Sequence, residues 1–173
     1  MTIFGKSTIR CKSDNMLKNI IKEKHCASCK QCCQFEIQDL WDTPIFSQEE
    51  KEVALKYAPD ISFVPCGDLW KIRLNRHLNK YICPLLDETG CRLSDKKPFD
   101  CKLWPIYVMD FNGSYVIAQS PDCAAINGEA TDTLLRTIHT LSNTIEEQVS
   151  KYRGYVKPFM PGYRVWYMFK ENR

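Results

Sequence analysis

A chain of 173 residues with 44% hydrophobic content is long enough to bury a core and short enough for one domain. Its 24 basic and 21 acidic residues leave a formal charge of +3, too even to mark a nucleic-acid-binding surface. No apolar run approaches the ~20 residues of a membrane span, and the first residues lack the apolar centre of a signal peptide, so the expectation is a soluble, cytoplasmic protein.

Taken in chain order, LKNIIKEK (17–24) predicts a short helix leading into the first cysteines. Ser47-Gln48-Glu49-Glu50 has the S-x-x-E form of a capping box, KEVALKYA continues the helix, and Pro59 ends it. LWKIRLN (69–75) alternates apolar and charged residues as a strand does. PIYVMDFNGSYVIAQ (105–119) predicts a hairpin, with Asn112-Gly113 supplying the positive φ angles of its turn. From about 131 to 152, Leu134, Ile138, Leu141, Ile145, Val149 and Tyr152 form one apolar stripe on a long helix, with Gly154 as its stop. YRVWYMF (163–169) reads as an aromatic edge strand. Strands and helices do not alternate as βαβ units, so the expected class is α+β: a small, metal-stabilised single domain spanning 1–173, with a short antiparallel sheet.

Ten cysteines stand at positions 11, 26, 29, 32, 33, 66, 83, 91, 101 and 123. A reducing cytosol does not keep them as disulfides, and clustered cysteines inside cells point to metal or redox chemistry. CASCKQCC (26–33) puts four thiols into eight positions. Cys26 and Cys29 have the spacing that turns two sulfurs onto one metal, and Cys32 repeats the step. Cys33, its neighbour, points elsewhere and serves a second metal or a second face of one cluster. Cys83, followed by Pro84, and then Cys91, Cys101 and Cys123 extend the set. Bunched thiolates repel one another and each raises its neighbours' pKa; a cation reverses this. Lys24, Lys30, Arg92, Lys96, Lys97 and Lys102 stand ready to offset residual negative charge. Cys11 and Cys66, isolated in sequence, read as small buried hydrophobes.

CASCKQCC resembles the CxxCxxCC signature of the YkgJ-like cysteine-cluster family, described as a zinc- or iron-chelating domain. CPLLDETGCRLSDKKPFDCKLWP (83–105) is similar to that family's second block, and CAAING (123–128) to its late glycine-containing element, with the first glycine replaced. The resemblance covers about residues 26–128; the tail 129–173, helix plus aromatic strand, carries no such motif. It implies a metal centre with Cys26, Cys29, Cys32, Cys33, Cys83, Cys91, Cys101 and Cys123 as candidate ligands. Relatives include flagellin lysine-N-methylase, which implies an enzymatic role. No GxGxxG or S-adenosylmethionine loop is present, so methyl transfer is not carried over to this chain.

Soft thiolates suit zinc and iron–sulfur clusters alike. Zinc takes paired C-x2-C knuckles, whereas the run C-x2-C-x2-C followed by unequal intervals favours an iron–sulfur centre of the 4Fe-4S type. The expected function is therefore an iron–sulfur protein in redox or protein-modification chemistry. The alternatives are a zinc-binding structural or interaction module, and a metal carrier with Cys32-Cys33 as its transfer pair. The partner is an unspecified protein or small molecule; nucleic acid and membrane are not expected, and no catalytic residue is assigned. His25, His77 and His139 read as solvated, and Asp87 and Glu88 as the turn before Cys91. Asp100 reads as a carboxylate able to accept an amide hydrogen bond beside Cys101, or as plainly solvated. Trp104 and Pro105 read as a wall around the centre.

Overall fold

The structure, a computed structural model, describes residues 16, 17, 20, 21, 28–38 and 40–170. The helix expected over 17–24 lies largely outside the described residues, as do Cys11, Cys26, His25 and Lys24. The architecture is α+β, with three small sheets where one was expected.

Helix α1 (Gln48–Tyr57) starts at the expected capping box: Glu50 N donates to Ser47 Oγ at 3.2 Å, and Ser47 N donates to Glu50 Oε2 at 2.8 Å. It lies beside a sheet of order β2-β4-β3, formed by β2 (Ile45–Phe46), β3 (Phe63–Cys66) and β4 (Leu69–Ile72). The strand read over 69–75 stops at Ile72, and Asn75 begins another. A second sheet, β1-β6-β5, pairs β1 (Gln34–Phe35), β6 (Lys80–Ile82) and β5 (Asn75–His77). Phe46, Ala54, Ala58, Ile72, Leu85 and Leu93 close a core between these sheets and α1.

A short helix, α2 (Phe99–Leu103), leads into the hairpin β7 (Ile106–Phe111) and β8 (Ser114–Gln119). Asn112 and Gly113 have φ of 54° and 87°, the paired positive values of the tight turn read from sequence. The hairpin is covered on both faces. Ile106, Val108 and Ile117 enter a large core, while Tyr107, Met109, Val116 and Ala118 enter another with Trp41, Phe159 and Tyr163. That is why the strand sequence is apolar at nearly every position. Strand β9 (Lys157–Pro158) runs parallel to β7, and β10 (Arg164–Met168) is the expected edge strand, antiparallel to β8.

Past the four-residue α3 (Ala124–Asn127), the long helix α4 (Thr131–Lys151) buries Leu134, Ile138, Ile145 and Val149 against the large core. Leu141 and Tyr152 are only partly buried there. Gly154 does not stop this helix. It sits in the 3₁₀ turn Arg153–Tyr155, where an added Cβ would stand 2.8 Å from Leu69 Cδ1 and 3.1 Å from Asp68 Oδ1, so its role is close approach. No helix among the described residues is long and apolar enough to cross a membrane.

Candidate metal centre

Five of the eight cysteines read as candidate ligands line one chamber: Cys32, Cys33, Cys83, Cys91 and Cys101. They come from three separate segments. In the first, Lys30 adopts φ 56° and Gln31–Cys33 close a single 3₁₀ turn, which swings the chain so that Cys32 and Cys33 face inward. Their Sγ atoms stand 3.8 Å apart and share an S–H···S contact. The β1–β6 pairing continues into this turn, with Cys83 N donating to Cys33 O at 2.9 Å, so Cys33 and Cys83 are placed side by side by backbone.

The second segment is folded back by Asp87. Its Oδ1 accepts from Thr89 N at 2.7 Å, Thr89 Oγ1 at 2.7 Å and Gly90 N at 3.0 Å, which holds its carboxyl below the usual range. Gly90 takes φ 127°, and a bridge between Leu86 and Cys91 returns Cys91 to the chamber. This is the turn role read for Asp87. Lys30 Nζ then clamps the first segment to the second, donating to Asp87 O at 3.1 Å and Glu88 O at 3.2 Å.

The third segment is α2. Its N-cap is Pro98, which offers no side-chain acceptor; Glu50 Oε1 instead accepts from Phe99 N at 2.6 Å. The same Glu50 carboxylate accepts from Ser47 N and, at 2.9 Å, from Tyr155 OH. Asp100 is not solvated. Its Oδ2 accepts from Ile45 N at 3.2 Å and pairs with Lys157 Nζ at 3.2 Å, both side chains being buried at 11% and 5% exposure. Cys101 is thus carried on a turn of helix fixed from two sides.

The chamber measures about 130 Å³. Drug-sized sites run to several hundred Å³, so this volume suits a compact inorganic group or a few waters. Phe46, Leu85, Pro98 and Trp104 give it an apolar wall, with Asp42, Asp100, Lys30, Lys97 and Tyr107 among its polar members. Burial, together with the neighbouring Asp100, Cys83, Cys91 and Cys32, pushes the Cys101 thiol well up. The hydrogen bond with Cys33 and burial do the same to Cys32. Burial pushes Cys83 up to about 12 and raises Cys91. The protein alone therefore holds these groups as neutral thiols, and a cation in their midst would favour the thiolates.

Other candidates lie elsewhere. Cys29 is exposed and does not line the chamber. Cys123 is buried in the large core at the N-terminus of α3, with its thiol raised by burial and, less strongly, by Cys29 and Cys32. Among the described residues no three His, Cys, Asp or Glu side chains are arranged to hold a metal ion as they stand. Cys66 lies in β3, away from the chamber. Of the basic residues, Lys30 and Lys97 line the wall; Arg92 turns to Tyr57 O and Asp60, and Lys96 to Asp95. His77 and His139 are exposed, His139 standing edge-on to Tyr167. Trp104 lines the chamber, while Pro105, joined to it by a cis peptide bond, is buried behind.

Sequence reasoning missed Glu50 as a bracket for α2, Lys157 as the partner of Asp100, and Asp42. Asp42 carries a buried Oδ1 with no hydrogen-bond partner among the described residues, and burial raises its carboxyl. None of the three carries a local motif for these roles. The chain matches no family model, no curated protein and no solved structure.

Proposed function

We propose that the chamber holds a thiolate-bound metal centre of the iron–sulfur type, and that the protein serves redox or protein-modification chemistry through it. The observation that carries this reading is the convergence of Cys32, Cys33, Cys83, Cys91 and Cys101 on one small chamber from three stretches of chain. Packing alone has no need to gather five thiols, each of which hinders its neighbours' ionisation. Cys26, Cys29 and Cys123 are the remaining candidate ligands, and the YkgJ-like resemblance points the same way.

The chamber's volume favours a cluster over a single ion. Four sulfurs about 2.3 Å from one zinc close around it and leave room for little else, whereas the chamber that these thiols help to line measures about 130 Å³. Bound there, an iron–sulfur cluster supplies one-electron chemistry. The chain's own residues would do the rest. Phe46, Leu85 and Trp104 keep water from the sulfurs, Lys30 and Lys97 set positive charge beside them, and the Asp100–Lys157 pair fixes Cys101. A zinc site is the second reading. The 3.8 Å between Cys32 and Cys33 equals the edge of a sulfur tetrahedron around zinc, about 3.8 Å for 2.3 Å bonds.

Anaerobic purification followed by iron, acid-labile sulfide and zinc analysis decides between them. A brown protein with iron and sulfide in equal amount is expected, losing both in Cys101→Ser and Cys83→Ser and keeping both in Cys66→Ser. Colourless protein with stoichiometric zinc would select the second reading, and metal-free protein from anaerobic cells would sink both.

A further inference from the structure

Residues 69–86 contain Lys71, Arg73, Arg76 and Lys80 and no aspartate or glutamate. Four positive charges in this stretch against +3 for the whole chain leave the rest of the protein at a net −1. The stretch ends in the β5–β6 hairpin, where every residue from Asn75 to Lys80 is exposed. At its tip Leu78 is 82% exposed and takes φ 52°, a left-handed conformation that an aliphatic residue adopts at a cost. Arg73, Arg76 and Lys80 make no ion pair among the described residues.

A short, charged edge strand is an ordinary defence against pairing with a second copy of the chain. That defence accounts for the charges and equally excludes self-association. It does not account for a leucine held out at the tip. Strand β5 is also the outer strand of the order β1-β6-β5, so one side of it is open to a further strand.

We propose that this finger is the docking site for an extended acidic segment of a partner protein. The segment adds to the open edge of β5 with carboxylates on both of its faces, because Arg76 (opposite Tyr81) and Lys80 (opposite His77) point to opposite faces of the sheet, and an apolar residue of the segment receives Leu78. A lipid surface has no strand to offer the open edge, and one leucine without a tryptophan or phenylalanine beside it gives it little to hold. RNA would want several rings to stack on, yet the finger exposes only the His77 imidazole, and Tyr81 packs against the core. The position matters for function. Strand β6 runs directly into Cys83, and β1 follows Cys33, so a docked strand would lie about three strand spacings, or roughly 15 Å, from β1.

The full chain is titrated into a fluorescent synthetic peptide of repeated Glu-Glu-Val, which presents carboxylates on both faces when extended, with the Gln-Gln-Val peptide, phosphatidylserine vesicles and single-stranded RNA as the other arms. Binding of the acidic peptide alone is expected, weakening with salt and falling about tenfold in Arg76→Glu/Lys80→Glu. Leu78→Ser should weaken it by a smaller factor, and Lys56→Glu, an equally exposed charge reversal on α1, should leave it unchanged. All these side chains are exposed, and a circular dichroism spectrum confirms that each variant folds. Absent binding, binding indifferent to residues 76 and 80, or charge-dependent binding to vesicles or RNA in place of the peptide would each overturn the proposal. No arm depends on a metal, so its failure is separate from that of the centre.

Discussion

Cys101 and Cys33 face the same chamber from opposite kinds of structure. Cys101 rides on α2, whose first amide is held by Glu50, whose Asp100 is paired with buried Lys157, and whose Phe99 and Leu103 lie in the large core. Cys33 closes one turn of 3₁₀ helix followed by a two-residue strand, tied on by the Cys83 amide and by the exposed Lys30 clamp. One wall is built by the fold. The other rests on a few contacts, and a metal would supply what the chain does not. Thiols from both walls meeting at one metal centre would couple its binding to closure of the looser wall, the way metal affinity becomes folding energy.

The largest test of this contrast is Lys157→Met. It strands Asp100 as a buried carboxylate and should cost about 3–5 kcal/mol in chemical denaturation of the metal-free protein. Lys157→Met with Asp100→Leu should recover part of that loss, because the stranded charge goes with its partner. Next is Glu50→Ala, which removes one acceptor from Ser47 N, Phe99 N and Tyr155 OH together. A loss of roughly 3 kcal/mol is expected, smaller than the sum of three separate bonds because they share one group. If either substitution left the metal-free protein as stable as the parent, the wall carrying Cys101 would not be prebuilt.

The same contrast explains what could be read in advance. The capping box, the Asn112-Gly113 turn and the stripe of α4 are local signals, written within a few residues of the structure they specify. The cysteines of the chamber were legible because thiol chemistry is rare and its spacing conspicuous. Glu50, Lys157 and Asp42 were not. Glu50 and Lys157 act on residues far off in sequence, Glu50 on Phe99 and Tyr155 and Lys157 on Asp100, while Asp42 is set apart by burial that the tertiary fold alone imposes. In the sequence Glu50 showed only its local capping role. Gly154 was misread for a related reason. A glycine after a helix reads as a stop, yet what requires it is Leu69, brought close only by the tertiary fold.

Asp42 gives a smaller effect that sharpens the contrast from the built side. Burial raises its carboxyl above the ordinary 3.8, so the folded state binds that proton more tightly than the unfolded chain. The cost to the folded state is absent below the ordinary value, grows as pH rises through it, and is complete above the folded value. Asp42→Asn should therefore stabilise the metal-free protein at neutral pH, with the gain vanishing below about pH 3, as followed by denaturation across pH. A gain independent of pH would mean that ionisation is not what burdens this wall.

Lys30→Ala should have the smallest effect on the chain and the most telling one on the centre. The clamp is exposed and joins two loops, so its loss should change the stability of metal-free protein by less than about 0.5 kcal/mol. With a metal bound, the first segment must stay against the second for Cys32 and Cys33 to remain beside Cys83 and Cys91. Losing two bonds from a charged donor then weakens the closed state by roughly 0.5–1 kcal/mol, and release to a chelator should quicken about threefold. Lys30→Arg, which keeps the charge and can still reach the carbonyls of Asp87 and Glu88, should restore most of the retention. A metal-free Lys30→Ala protein weakened as much as Lys157→Met would show both walls equally built, and closure of the looser wall would no longer account for metal retention.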